Sequence, residues 1–290
     1  MRSLLFAPGD DPRKMAKALE TEADVVILDL EDSVAPANKA KARAETLAFL
    51  QAHRAQAQRL FVRVNALVSG LIDEDLAAVM AGAPAAIVLP KCLGGANVQA
   101  VGARLAVHEA ENGFDSGATK ILAIATESAA ALFGMGTYAG CSARLIGLAW
   151  GAEDLGADIG VERRRDAGGR HTDVFRLART MTLLGAVAAG AAPIDAVSAD
   201  FRNVEALKRE SAEANADGFT AKMAIHPAQL AVINAAFTPS AEAIARARAV
   251  LGAFANAGAG VASLNGEMLD QPHLTNAKAI LARAGLDDDR

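Results

Sequence analysis

Short apolar segments of β-favouring residues alternate with Ala-rich helical segments along the chain, and this alternation constrains its fold more than any other feature. Eight segments suit buried strands: Ser3–Ala7, Val25–Leu30, Leu60–Asn65, Ala85–Pro90, Lys120–Thr126, Arg144–Trp150, Pro193–Ser198 and Ala221–His226. Helical patterns lie between them at Asp11–Thr21, Ala37–Ala52, Gly95–Glu111, Thr172–Leu184 and Asn203–Ala216. Repeated strand–helix units predict a parallel sheet. Eight units close most naturally into an α/β (β/α)₈ TIM barrel, with a doubly wound open sheet as the competing fold.

The chain continues beyond the eighth strand, and its last part predicts a small appendage. The segments there are a helical Pro239–Asn256, strand-like Val261–Leu264 and Glu267–Asp270, and an amphipathic Asn276–Ala284. Asn265-Gly266, between the two strand-like segments, is a strong signal for a hairpin turn. We predict a barrel domain over residues 1–238 and a C-terminal extension of helix, hairpin and helix over residues 239–290. We expect its acidic tail, residues 287–290, to fray.

Charge and composition narrow the class of protein. The formal net charge of -5 predicts no general attraction to nucleic acid or to anionic membranes. Residues 1–8 lack the basic and apolar regions of a secretory signal, and no run of about 18 apolar residues is long enough to span a bilayer, so we expect a cytoplasmic protein. Cys92 and Cys141 have no metal-ligand or redox spacing, and we assign them no role.

Polar residues collect where the predicted strands end. They are Asp29, Glu31 and Asp32 after the second strand, Arg63 and Asn65 in the third, Lys91 after the fourth, Glu127 after the fifth, Glu153 and Asp154 after the sixth, and His226 after the eighth. Active sites of (β/α)₈ barrels lie at the carboxyl ends of the strands. The sequence therefore predicts an active site at this end of the barrel.

Glu127 and Asp154 follow neighbouring strands, which predicts two carboxylates on one side of the barrel mouth. Two such anions repel each other unless a cation lies between them. Mg²⁺ prefers oxygen ligands and is often held by one or two carboxylates, whereas the His/Cys cluster of a zinc site is missing from the sequence. The alternative, equally supported by the spacing, is that each acid caps the helix that follows it.

Arg63 ends a strand that is otherwise apolar, where its guanidinium can bind a carboxylate or a developing oxyanion. An internal salt bridge to Glu31 or Asp29 is the alternative, and both arrangements can hold together. Lys91 is either a Schiff-base lysine or a charged group that binds a ligand or pairs with the acids of the second strand, and the nearby acids favour the charged group because they keep the amine protonated.

Three further features are weaker signals. The turn at Phe6–Asp10 has backbone N–H groups that can face a phosphate or a thioester. His226 is more often a structural residue than a base. Arg163, Arg164, Arg165 and Arg170 form either a loop that attracts an anionic ligand or a solvated loop. Besides Arg63, the residues that we expect to bind substrate are Glu31, Asp29, Lys91, Pro8 and Gly9.

Several motifs occur in the order found in one enzyme family: Arg2–Gly9, Asp29–Val34 (DLEDSV), Arg63–Asn65, Leu89–Lys91, the strand end at Glu127, Gly151–Leu155, Asp200–Arg202, Lys222–Leu230 and Gly266–Asp270. With these motifs the chain resembles the citrate lyase beta-subunit-like, HpcH/HpaI-type aldolase family of CoA-ester lyases. The resemblance implies Mg²⁺ bound at Glu127 and Asp154, with Arg63 at a substrate oxygen. It also implies that Asp270 acts as acid/base in the site of a neighbouring subunit, so that the extension packs on that subunit in a homo-oligomer, a trimer or a hexamer.

The reaction that the resemblance implies is cleavage, or formation, of a short hydroxyacyl-CoA such as malyl-CoA or citramalyl-CoA, giving acetyl-CoA and a 2-oxo acid. Asp270 would protonate the enolate carbon, and Arg63 would stabilise charge at the hydroxyl oxygen. The open alternatives are a citryl-thioester lyase subunit that uses an acyl carrier, a malate synthase, a malyl-CoA thioesterase and a non-catalytic assembly subunit.

Overall fold

The computed structural model describes residues 1–257 and 260–286, and its first part is a closed barrel of eight strands. The strands are β1 Ser3–Pro8, β2 Val25–Asp29, β3 Leu60–Arg63, β4 Ala86–Leu89, β5 Lys120–Ile124, β6 Leu145–Ala149, β7 Ala192–Asp195 and β8 Ala221–Ala224. Each strand pairs in parallel with the next, and β8 pairs with β1 to close the barrel. The predicted TIM barrel is therefore confirmed, and the open-sheet alternative is wrong.

The helices of this part surround the barrel. They are α1 Pro12–Leu19, α2 Lys39–Ala52, α3 Ile72–Val79, α4 Gly95–Glu111, α5 Ala129–Phe133, α6 Ala152–Asp158, α7 Asp173–Ala188, α8 Val204–Asp217 and α9 Leu230–Phe237. The helices α3, α5, α6 and α9 were not predicted, because helices of two turns or fewer show little helical period. The equally short α1 was predicted within the longer helical pattern Asp11–Thr21. Among the described residues, no helix is long and apolar enough to cross a membrane.

Alternate residues of each strand point into the barrel, where aliphatic side chains fill the interior. This core includes Leu4, Val25, Ile27, Phe61, Val88, Leu122, Ile124, Ile194 and Met223. Burial of each large aliphatic side chain contributes about 1.5–3 kcal/mol, so these layers stabilise the barrel without many aromatic residues. Asp29 and Arg63 follow Ile27 and Phe61 by two residues, and they therefore continue the inward-facing series at the mouth of the barrel.

Residues Asn234–Arg290 form a second compact unit, and Met1–Ile233 form the first. The second unit contains α10 Ala241–Ala257, the antiparallel hairpin of β9 Ala262–Leu264 and β10 Glu267–Leu269, and α11 Gln271–Arg283. Asn265 and Gly266 have φ values of 51° and 83°, the left-handed conformations that a two-residue type I′ hairpin turn requires. The predicted helix, hairpin and helix are confirmed. The division between the units falls inside α9, whereas we expected it at residues 238 and 239.

The last helix begins at Gln271, and the predicted start at Asn276 is wrong. Asp270 has extended backbone at the N-cap, and Pro272 lies in the first turn, where its missing N–H costs nothing. The apolar periodicity that we used starts only one turn later, with the buried Ala277 and Leu281. The acidic tail, residues 287–290, lies outside the described residues, as do residues 258 and 259.

Candidate active site at the barrel mouth

A bidentate ion pair joins the carboxyl ends of β2 and β3. Arg63 Nε and Nη2 donate to Asp29 Oδ1 and Oδ2, both at 2.7 Å. Asp29 is fully buried and also accepts from the backbone N–H groups of Glu31 and Ser33 at 2.9 and 3.0 Å. Burial alone would raise the pKa of Asp29, but the Arg63 hydrogen bonds outweigh it and hold that pKa below its ordinary value. Asp29 thus stays ionised and fixes the plane of the guanidinium.

The remaining nitrogen of Arg63 faces the acids that follow β2. Arg63 Nη1 lies 3.1 Å from Glu31 Oε2 and 3.4 Å from Asp32 Oδ2. The guanidinium also lies over the ring of Phe6, 4.8 Å from its centroid, and the Arg63 side chain is 12% exposed. The salt bridges that we considered as an alternative for Arg63 are therefore present. They leave Nη1 as the part of the guanidinium that is not held by Asp29.

Lys91 connects the acids on opposite sides of the mouth. Its Nζ lies 2.6 Å from Glu31 Oε1, 3.7 Å from Asp32 Oδ1 and 3.4 Å from Asp154 Oδ1. Burial would lower the pKa of Lys91, but Glu31 and the other acids raise it above its ordinary value. A Schiff-base lysine must lose its proton to attack, so these contacts favour the charged binding role for Lys91.

Glu127 follows β5 and is a buried carboxylate with few groups that stabilise its negative charge. Its Oε2 accepts a hydrogen bond from the backbone N–H of Lys91, a residue with a left-handed φ of 50°. Burial, together with the nearby charges of Asp154 and Glu31, raises the pKa of Glu127 to about 8. The positive charges of the protein are thus too few to stabilise the ionised form of Glu127. A bound cation would stabilise that form and lower the pKa of the carboxyl group.

Gly151, at the end of β6, lets the chain pass directly beside Glu127. A Cβ on Gly151 would lie 2.5 Å from Glu127 Cγ, which is closer than real Cβ contacts. Asp154 follows in the first turn of α6, with its side chain 34% exposed. Asp154 is thus a first-turn acid, as the capping alternative supposed, yet Lys91 contacts both Asp154 and Glu127. Asp154 can therefore both stabilise the N-terminus of α6 and contribute to a metal site, because its carboxylate interacts favourably with the helix dipole and also faces the mouth.

The donor set of this site fits a hard divalent cation. Glu127 and Asp154 offer only carboxylate oxygens, and Mg²⁺ needs no more than one or two of these when substrate and water complete its octahedron. Across the described residues, no group of three or more His, Cys, Asp or Glu side chains could hold a metal ion. The chemistry of the two acids therefore suits Mg²⁺ and does not suit a zinc site made by the protein alone.

A buried polar network supports the segment that carries Glu31, and sequence reasoning did not find it. Lys39 Nζ donates to the carbonyl oxygens of Leu30 and Glu31 at 2.6 and 2.7 Å and to Asn65 Oδ1 at 2.8 Å. Asn65 Nδ2 in turn donates to Asp75 Oδ2 at 2.7 Å. Lys39 and Asp75 lie on α2 and α3, so only the packing of these helices on the barrel reveals their role. The one available signal was Asn65, a polar residue at a strand end.

In the turn after β1, one of the backbone N–H groups that we considered for a ligand is occupied. The N–H of Gly9 donates to the carbonyl oxygen of Asp29 at 2.8 Å, and Pro8 has no N–H. A Cβ on Gly9 would lie 2.7 Å from Thr46 Oγ1, so glycine is needed here for close packing. The Gly9 N–H is therefore used inside the protein and is not one of the groups of this turn that can face a phosphate. Substrate contacts by other atoms of Pro8 and Gly9 stay a prediction.

His226 and Asp270 both have structural contacts. His226 Nδ1 accepts from the N–H of Ala228 at 3.1 Å, and its ring stacks on Phe201 at 4.4 Å between centroids. This agrees with the structural interpretation of His226.

Asp270 lies in the second unit at the N-cap of α11, with Oδ1 2.6 Å from His273 Nδ1. The Asp270 side chain is nevertheless 46% exposed, so its carboxyl group can contact solvent or a ligand.

The barrel and its charged mouth define the class of the protein, a TIM-barrel enzyme with acids and cations at the carboxyl ends of its strands. The family model described as HpcH/HpaI aldolase/citrate lyase matches residues 2–227. The chain belongs to this family, and the predicted enzyme class, a carbon–carbon lyase, is confirmed with it.

Relatives of known name and structure match the chain over nearly its whole length. A citrate lyase subunit beta-like protein of Mycobacterium tuberculosis is 37% identical and covers 97% of this chain and 94% of its own. The mitochondrial citramalyl-CoA lyase of Rattus norvegicus is 32% identical, with 98% and 86% covered. The crystal structure of CitE from Mycobacterium tuberculosis in complex with magnesium, acetoacetate and coenzyme A has a TM-score of 0.77 at 38% identity and covers 98% of both chains.

Proposed function

We propose that this protein is a Mg²⁺-dependent lyase that cleaves a short β-hydroxyacyl-CoA, such as malyl-CoA or citramalyl-CoA, into acetyl-CoA and a 2-oxo acid. The observation that carries the proposal is the grouping of Glu127, Asp154, Lys91 and Arg63 at one barrel mouth. The names of the relatives support it, since one is a citramalyl-CoA lyase and another binds magnesium, acetoacetate and coenzyme A. We also keep the cytoplasmic location as a proposal.

In this proposal Glu127 and Asp154 hold the ion. When bound, Mg²⁺ would supply the positive charge that lowers the pKa of the substrate hydroxyl and binds the neighbouring carboxylate. The residues of the chain orient the rest of the substrate. Arg63 Nη1 donates to the oxygen on which charge develops, and Asp29 keeps the guanidinium in place for this contact. Lys91 adds a protonated amine that attracts the anionic substrate into the mouth.

The cleavage step moves electrons from the hydroxyl group to the thioester. The hydroxyl proton passes to solvent, the carbon–carbon bond breaks as the new carbonyl forms, and the electron pair enters the thioester enolate. The enolate carbon then takes a proton to give the acetyl thioester, and we propose Asp270 as its donor. Because Asp270 belongs to the second compact unit, we further propose that it reaches the mouth of a neighbouring subunit in a homo-oligomer, a trimer or a hexamer.

A subunit-mixing experiment tests the shared site. The variants Asp270→Asn and Glu127→Gln are each expected to be inactive as homo-oligomers. When the two are co-expressed with different affinity tags and purified through both, we expect activity to return, because about a quarter to a third of the sites then combine an intact mouth with an intact Asp270. Mixing Glu127→Gln with Asp154→Asn is the control, since both changes affect the same mouth. Equal activity of the two mixtures, or none in either, would contradict a site shared between subunits.

An assay with defined thioesters tests the proposed reaction. We expect the purified protein to cleave malyl-CoA or citramalyl-CoA with Mg²⁺, releasing glyoxylate or pyruvate together with acetyl-CoA, and to stop when EDTA is added. Free CoA without acetyl-CoA would indicate a thioesterase. Net condensation with loss of CoA would indicate a malate synthase, and cleavage of citryl thioesters only would indicate a citrate lyase subunit. If none of these substrates is turned over, the result would contradict the proposed lyase and support a non-catalytic assembly subunit.

Gly151→Ala is expected to lower activity about 10–100-fold, because a misplacement of about 1 Å at a reacting centre can cost about a hundredfold. The added Cβ must displace the Glu127 side chain, whose Cγ lies 2.5 Å away. The measurement is kcat together with the Mg²⁺ concentration for half-maximal activity, which we expect to rise. Gly136→Ala is the control, because a Cβ there has no atom within 4 Å. A similar Mg²⁺ requirement for both variants would show that Glu127 does not depend on Gly151.

A further inference from the structure

A second cavity, of about 300 Å³, lies outside the barrel wall. Trp150, Asp195 and Lys222 line its inner side. Their strand neighbours Ala149, Ile194, Ala221 and Met223 fill the barrel interior, so these three side chains point outward, towards α7 and α8. The segment with Gly169, Arg170 and His171 forms another wall. The cavity is thus separate from the site at the mouth, which is built from inward-facing residues.

The floor of this cavity is a buried polar network in which every charge has a partner. Lys222 Nζ donates to Asp195 Oδ2 and to the Ala196 carbonyl oxygen, both at 2.7 Å. Asp195 Oδ1 accepts from Trp150 Nε1 at 2.7 Å and from Arg179 Nε at 3.2 Å. Asp195 therefore faces two cations, and its acceptor atoms are occupied. The network leaves the floor without a free carboxylate that would repel an anion.

The rim carries an excess of positive charge. Six Arg and Lys side chains line the cavity against three carboxylates, in a chain whose net charge is -5. Arg165 is paired with Glu210 at 2.9 Å. The guanidinium groups of Arg170 and Arg209, by contrast, make no ion pair or hydrogen bond with any other residue that the structure describes, although both line the cavity. Arg209 Nη2 lies 3.6 Å from where a Cβ of Gly169 would be, next to Arg170.

The His171 ring also lines this cavity. His171 Nδ1 is buried and has no hydrogen-bond partner among the described residues. Burial, helped by the charge of Arg165, lowers the pKa of His171 to about 4, so the ring is neutral at physiological pH. Its edge-on contact with Trp150, at 5.2 Å between centroids, gives the cavity an aromatic side beside its charged one. The cavity thus combines two unpaired guanidinium groups with the ring of His171.

We propose that this cavity binds a small phosphorylated metabolite, with its phosphoryl group on Arg170 and Arg209 and its body against the His171 ring. Two unpaired guanidinium groups match a phosphoryl dianion better than a single carboxylate, because each fork can donate two hydrogen bonds. The volume is at the lower end of the range for small-molecule sites, which suits a compact ligand. Arg165 forms a salt bridge with Glu210, so we assign it to the wall of the cavity and not to the phosphoryl group.

Calorimetric titration with pyrophosphate, at low and at physiological salt, tests the proposal. We expect binding to the parent protein and a loss of roughly tenfold or more in affinity in Arg170→Gln/Arg209→Gln. The control, Arg54→Gln/Arg248→Gln, changes the net charge equally but alters two exposed arginines that do not line the cavity. We expect it to bind like the parent. Similar weakening in both double variants, or no binding to the parent, would overturn the proposal.

A competition experiment separates this ligand from the phosphate groups of a thioester substrate. The parent protein is titrated with pyrophosphate in the presence of saturating CoA. We expect an unchanged affinity, because the cavity lies behind the barrel wall and the mouth lies inside it. Displacement of pyrophosphate by CoA would assign the phosphate contacts to the substrate and overturn the proposal of a separate site.

Discussion

Glu127→Gln is expected to reduce Mg²⁺-dependent cleavage by about a thousandfold or more, because the loss of several kcal/mol of charge stabilisation has that effect on a rate. Glutamine keeps the size of the side chain and its hydrogen bond from the Lys91 N–H, but it removes the anionic oxygen that we assign to the metal. The measurement is kcat/KM with malyl-CoA or citramalyl-CoA at saturating Mg²⁺. The change in Tm on adding Mg²⁺ is measured in parallel.

The Mg²⁺-dependent rise in Tm should disappear in this variant, because only an ion that binds the folded state stabilises it. Glu111→Gln is the matched control. It makes the same chemical change on the surface of α4, where the Glu111 side chain is 62% exposed and faces His108. We expect it to keep the activity and the Mg²⁺ response of the parent. Retention of both by Glu127→Gln would remove Glu127 from the metal site and with it the basis of the proposed mechanism.

Asp29→Asn is expected to destabilise the protein by about 3–5 kcal/mol, the usual cost of removing one partner of a buried ion pair. The Arg63 guanidinium would keep its charge in a site where its side chain is only 12% exposed, without the two Asp29 oxygens at 2.7 Å. We also expect a large loss of kcat, since Arg63 would no longer be held in one orientation. The free energy of unfolding in urea gives the first quantity, and steady-state kinetics of the remaining folded protein give the second.

Asp73→Asn provides the comparison for this prediction. It breaks a salt bridge of similar length, Asp73 Oδ1 to Arg104 Nε at 2.6 Å, between side chains that are 69% and 37% exposed. Exposed pairs contribute about 0–1 kcal/mol, so this change should be small. If Asp29→Asn cost no more than Asp73→Asn, the burial of the Arg63 pair would have no energetic consequence, and its role would be limited to orienting the substrate.

The residues that sequence reasoning found share a simple property: their role depends on their position in a strand. The eight strands were predicted within a few residues, and Asp29, Arg63 and Glu127 were found because they end apolar strands. The helices α5 and α6 were missed, although α6 carries Asp154, because five and seven residues do not complete enough turns to show a period. Asp154 itself was identified because it follows the predicted sixth strand, and not because it lies in a predicted helix.

Other features depend on contacts between distant segments, and no local pattern marks them. Lys39 lies on a predicted helix and Asp75 in a segment with no predicted element, yet they hold Asn65 and the Glu31 backbone. The backbone N–H groups of the Phe6–Asp10 turn were candidates for a ligand, but the Gly9 N–H donates to Asp29, twenty residues further along the chain. The outer cavity needs Asp195 and Lys222 to point away from the mouth, and that direction follows from the pleat of β7 and β8.

The sequence by itself determined the eight strand–helix units, the hairpin and the set of charged residues at the strand ends, because strand alternation and turn chemistry are local properties of the chain. Only the tertiary structure decided how those charges pair. Closing the barrel buries Asp29 with Arg63, brings Lys91 to Glu31 and Asp154, and leaves Glu127 without a sufficient counter-charge. The strength of each charge interaction depends on distance and burial, and both arise only when segments far apart in the sequence meet.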